Sequence, residues 1–273
     1  MESDIGPILG GWEYAPGELS VRRVEGGSGG KKIQIRMDLG LMQLEWSGRP
    51  DAARPHGYAS LLDYYREKLQ EWEAEHGPGS YSLSREDCWD LAQEAMKYYW
   101  RRISFFELKE YQRAEEDARH NLGILDMCYD YAENDEDRQL AEQYRVFVTA
   151  HRVQARALAC LDDDEHGAAI AEIRLGIGEI EAFLQKIGQL DELGECPELL
   201  FLREWESEVE STRPLSPHER LTAELEAAVE ADKFELAASL RSGGAGGGYA
   251  QCAGWGWGQG AGDWLVGVHY ETE

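Results

Sequence analysis

Tyr98-Tyr-Trp-Arg-Arg-Ile-Ser-Phe-Phe-Glu-Leu-Lys-Glu-Tyr111-Gln-Arg-Ala114-Glu-Glu-Asp-Ala118 decides how the chain folds. Its apolar residues fall at helical spacing, so Tyr98, Tyr99, Trp100, Phe105 and Phe106 are expected in a core rather than around a cofactor. One helix ends near Lys109. An acidic turn bearing an aromatic residue follows, and a second helix opens with alanine on its packing face. The arrangement recurs in Arg152-Val-Gln-Ala-Arg-Ala-Leu-Ala-Cys-Leu-Asp-Asp-Asp-Glu-His166-Gly-Ala-Ala169-Ile-Ala-Glu-Ile173. Setting Ala114 against Ala169 and Ala118 against Ile173 gives a spacing of about 55 residues. Two helical hairpins of one grammar predict a mainly α protein.

The flanks agree. Ser60 to Trp72 reads as an amphipathic helix with Leu61, Leu62, Tyr65, Leu69 and Trp72 inward. Ser84-Arg-Glu-Asp87 opens the next helix as a capping box, with Asp87 in place of the usual Glu. Helical pattern continues to about Trp205, with breaks near Asn134-Asp135, Asp162 to Gly167, Gly188 and Cys196-Pro197. Residues 1–50 differ. Lys31-Lys-Ile-Gln-Ile-Arg-Met-Asp-Leu39 alternates, with Ile33, Ile35, Met37 and Leu39 on one side, and Gly26-Gly-Ser-Gly-Gly30 precedes it as a turn. Two or three antiparallel strands are expected, packed on the helices with help from Trp12, Tyr14 and Trp46. Arg22, Arg23, Lys31, Lys32 and Arg36 gather near that turn, either as a binding edge or, the preferred reading, as solvated charges that guard strand edges. Gly48 to Gly57 and Ser211 to Arg220 read as linkers from their proline and glycine. The expected organisation is a β-hairpin or meander over 1–50, an α-helical domain over 58–210, a helical hairpin over 216–241 and an irregular Gly/Trp-rich tail over 242–273.

Within each unit of the 55-residue pair, the small residue, short turn and Ala-x-x-x-apolar order resemble a tetratricopeptide repeat (TPR). The period departs from that family's, and its glycine and proline positions are not filled. The resemblance implies TPR-like helical hairpins, arranged as a superhelical stack with a peptide groove or as a plain bundle. Further on, Leu221-Thr-Ala-Glu-Leu225 to Phe234-Glu235-Leu-Ala237-Ala238-Ser-Leu240-Arg241 places leucines four apart, then a turn, then a second short helix. This run resembles the UVR (UvrB/UvrC) motif, although the family's second helix continues where Ser242-Gly243-Gly244 stands here. That family's hairpins dock other proteins. The resemblance implies that Leu221, Leu225, Phe234, Ala237, Ala238 and Leu240 bind a partner protein, with Glu235 and Arg241 setting orientation.

Twenty-seven basic residues face 53 acidic ones, a net charge of −26. Such a surface repels phosphate backbones and anionic membranes, so direct nucleic-acid or membrane binding is not expected. The five cysteines are scattered with no C-x-x-C pair, which fits reduced thiols in the cytoplasm. The seven histidines form no H-E-x-x-H pair, and no Walker A sequence occurs. Asp162-Asp-Asp-Glu165 lacks EF-hand spacing and reads as a solvated turn. The reading is a non-catalytic adaptor without cofactor or metal. Two alternatives stand beside it: an accessory factor of a nucleotide-excision repair complex, and an enzyme with its site in the helical groove.

Overall fold

A computed structural model of the chain describes residues 4–27, 29–189, 194–214 and 220–222. A short helix, α1 (Gly6–Leu9), leads into a three-stranded antiparallel meander of β1 (Val21–Glu25), β2 (Lys31–Met37) and β3 (Gly40–Glu45). A 3-10 turn at Pro55–Gly57 follows. Seven packed helices come next: α2 (Leu61–His76), α3 (Arg85–Glu107), α4 (Tyr111–Tyr131), α5 (Asp135–Gln143), α6 (Arg145–Asp162), α7 (His166–Lys186) and α8 (Pro197–Thr212). The fold is mainly α, as the periodicity implied.

The two hairpins, α3/α4 and α6/α7, close with the same turn. Glu110 N–H donates to Phe105 C=O and Lys109 N–H to Phe106 C=O. Fifty-five residues later Glu165 N–H donates to Cys160 C=O and Asp164 N–H to Leu161 C=O. This is the Schellman pairing, and the residue it forces into the left-handed region is Lys109 (φ 57°) in one and Asp164 (φ 64°) in the other. Ala114, Ala118, Ala169 and Ile173 are all fully buried, so the spacing read from sequence is a spacing of equivalent packing positions. The α6 and α7 backbones approach closely where α7 carries glycine: a Cβ on Gly176 would lie 2.1 Å from Val153 Cγ2 of α6.

Helix ends follow their capping residues. Ser84 and Asp87 form a reciprocal capping box at α3, while Ser60 and Asn134 accept from backbone N–H groups at α2 and α5. The sheet buries Ile33, Ile35, Leu44 and Trp46 against Phe105, Phe106, Tyr111 and Ala155, at the turn end of α3/α4. Trp46 meets Phe105 edge to face at 5.2 Å between centroids.

Two inward assignments are corrected. Leu39 is 91% exposed, because β2 ends at Met37 and Leu39 sits in the tight turn, where strand alternation no longer applies. Trp72, near the end of α2, is partly exposed, stacked on His76 with its indole N–H bonded to Ser80 C=O. Of the meander's other aromatics, Trp12 is half-buried beneath the Arg22 guanidinium, and Tyr14 is partly exposed. The proline and glycine of Gly48 to Gly57 make turns, as their composition implies, yet Arg49 within the segment is buried against α3.

Candidate functional site

The aromatic run of α3 carries an arginine pair, Arg101-Arg102, and α3 buries both. Adjacent helical positions point about 100° apart, so the two side chains enter different surroundings. Arg101 reaches Asp117 of α4 through two parallel bonds, Nε to Oδ2 at 2.9 Å and Nη2 to Oδ1 at 2.7 Å. Its Nη1 donates to the carbonyls of Gly48 (2.6 Å) and Glu45 (3.2 Å), tying the end of the sheet to the helices. Beside it, fully buried Glu94 accepts from the N–H groups of Leu61 (2.8 Å) and Leu62 (3.2 Å) at the start of α2. His120 Nε2 stands 3.0 Å from Glu94 Oε1, and Arg49 Nη1 stands 2.9 Å from Oε2, close enough for an ion pair though off the N–H direction. Burial alone would push the Glu94 carboxyl up. The His120 bond and the two backbone donors outweigh it and hold the group below its ordinary value.

Arg102 is treated differently. It is 1% exposed, and its Nε and Nη1 have no hydrogen-bond partner. Tyr99 and Phe147 present their rings at 5.4 and 5.8 Å from its guanidinium carbon, and the nearest carboxylate influence is Asp117, already committed to Arg101. Burial pushes Arg102 down to about 10, so it keeps its charge at neutral pH. His151 of α6, buried beside it, has an unpartnered Nδ1. Burial and the neighbouring Arg102 hold its pKa well below the ordinary imidazole value.

Arg102 lies in the wall of a cavity of about 880 Å³ between α3, α4, α5 and α6. Ala92 and Met96 of α3, Ile124 of α4, Leu140 of α5 and Phe147 of α6 make the lining mostly apolar. Asn121 of α4 also reaches it. Its amide N–H donates to Ala95 C=O while its Oδ1 has no partner. Trp89 and Leu140, 62% and 47% exposed, form an apolar rim. The volume is in the range of about 300–1,000 Å³ usual for small-molecule sites. A second, smaller cleft of about 460 Å³ lies between α4, α6 and α7, where Arg145 pairs with Asp126 and Glu142 and Lys186 sits over the Tyr129 ring.

The residues assigned to partner docking from sequence are placed only in part. Leu221 is helical and half-buried. Leu225, Phe234, Glu235, Ala237, Ala238, Leu240 and Arg241 lie outside the described residues. Most of the cationic cluster of the meander is drawn into local bonds, with Arg22 on Gln34, Arg23 on Glu110, Lys32 on Glu45 and Arg36 on Trp12 C=O. Asp163 and Asp164 are exposed in the turn before α7. Among the described residues no cluster of His, Cys, Asp or Glu is arranged to hold a metal ion, and no helix is long and apolar enough to cross a membrane. Arg102 was hidden from sequence reading inside a run assigned to the core. The signal was there: two adjacent arginines flanked by aromatics leave no solvated face for both. A scan of family models and searches of curated proteins and of solved structures find no match to this chain.

Proposed function

We propose that the chain is a non-catalytic binding protein of the adaptor kind, whose helical domain holds a ligand in the α3–α6 cavity and whose UVR-like hairpin, 216–241, docks a partner protein. One observation carries the reading. The cavity joins apolar walls to a buried, unpaired cation, whereas Glu94, Asp117 and His120 are each occupied in structural bonds. Groups so engaged hold the fold and are poorly placed to act as acid or base. The TPR-like hairpin grammar supports the same class, since stacked helical hairpins present concave binding surfaces.

The test uses the full chain as bait in cell lysate. Phe234→Ala is expected to lose the partner at unchanged Tm, while a Trp89→Ala/Leu140→Ala variant keeps it. Unchanged capture by Phe234→Ala removes the hairpin from the proposal. Salt-sensitive retention of duplex DNA by the purified protein would instead favour a repair accessory, against the −26 charge.

A further inference from the structure

We propose that the α3–α6 cavity binds a small amphiphile with one anionic head, seated head-down on Arg102. The proposal rests on reading this cavity as a recognition site and names the ligand class. Two arginines share one carboxylate here, and Arg101 takes both oxygens of Asp117. Arg102 lies in the wall of the cavity with two guanidinium nitrogens, Nε and Nη1, buried and without a partner. A carboxylate is the group whose geometry matches a guanidinium edge, accepting two parallel N–H bonds. Asn121 Oδ1 offers an acceptor in the same wall, suited to a hydroxyl or a protonated acid on the ligand.

The rest of the lining asks for hydrocarbon. Met96, Ile124 and Phe147 continue to a rim of exposed Trp89 and Leu140, so an alkyl or aryl body is covered along its length. Glu136 and Asp137 stand at the same wall with Arg85, which pairs with both. Those acids disfavour a second negative group near the mouth, which selects a monoanion. The chain's overall negative charge does not oppose this: beyond about 8 Å at physiological salt it is screened, while the buried guanidinium is in contact.

The experiment titrates full-length protein with decanoate, decan-1-ol and decylamine at pH 7, following Trp fluorescence and Tm. Decanoate is expected to bind at least tenfold tighter than decanol and to raise Tm, with decylamine weaker still. Arg102→Met removes the charge and keeps an apolar chain of similar length, and is expected to bring decanoate down to the level of decanol. Ala92→Trp, which fills the cavity and leaves Arg102 intact, is expected to abolish binding of both. Equal binding of decanoate and decanol by the wild type, or a tenfold preference surviving in Arg102→Met, overturns the anionic head and leaves an apolar recognition cavity standing. Binding unaffected by Ala92→Trp, or no binding of any probe, overturns the cavity as the site and the recognition reading with it.

Discussion

Arg101 and Arg102 follow one another on α3, are equally inaccessible to water, and live in opposite electrostatic circumstances. Arg101 has a carboxylate held in two bonds and two carbonyls besides. Arg102 has aromatic faces, a neutral histidine and no hydrogen-bonded anion. Taking a charge out of water costs several kcal/mol, and only a close counter-ion with good hydrogen bonds repays it. Burial by itself therefore does not tell a structural charge from a functional one. The set of partners does. Where every donor is used the group holds the fold together, and where donors face a cavity the missing partner is a candidate ligand.

Substitution should separate the two residues, and the largest effect belongs to Arg101. Arg101→Met leaves Asp117 buried without its partner and strips two carbonyls of their donor, so urea denaturation is expected to report a loss of about 3–5 kcal/mol. Glu94→Gln comes next. It removes the charge that Arg49 and His120 approach while keeping an acceptor for the start of α2, for an expected loss of about 2–3 kcal/mol.

His151 gives a smaller, pH-dependent effect on the Arg102 side. It stays neutral in the folded protein, whereas in the unfolded chain it takes up a proton near pH 6.5. The unfolded state binds more protons below that pH, so stability falls as the medium is acidified, by about 1.4 kcal/mol per pH unit. Glu94, Asp51 and Asp87, held below their ordinary values, lose their contribution only at lower pH. Comparing wild type with His151→Leu between pH 6.5 and 5 isolates the histidine. Identical slopes would mean that His151 takes up its proton in the fold as readily as in the unfolded chain.

The smallest expected effect is the most telling. Arg102→Met should change stability by less than about 1 kcal/mol, or raise it, because an apolar side chain of similar volume replaces a desolvated charge. A loss as large as that of Arg101→Met would make Arg102 a structural cation and erase the contrast.

Sequence carried the helices and their pairing further than it carried the site. Ala114 with Ala169, the Ser84–Asp87 capping box and the break at Asn134 are local signals, and each was legible because a helix states its own period and ends. Leu39 and Trp72 were misplaced where an element stops and its period stops with it. Arg49 was illegible for another reason. Proline and glycine around it announce turns, and nothing local says that a buried glutamate 45 residues later waits for its guanidinium. The cavity has the same character, since four helices must meet before Arg102 has walls around it.

The bonds from Arg101 to the carbonyls of Gly48 and Glu45 span 53 and 56 residues of chain. They also set an order of events. The α3/α4 hairpin needs only neighbouring sequence to zip from its Schellman turn, whereas the sheet's attachment waits on closing a long loop. Helical pairing first and sheet docking second is the sequence of folding this implies. Amide exchange in β2 and β3 should then be protected after the hairpin in a refolding time course, with Arg101 as the clasp that ends it.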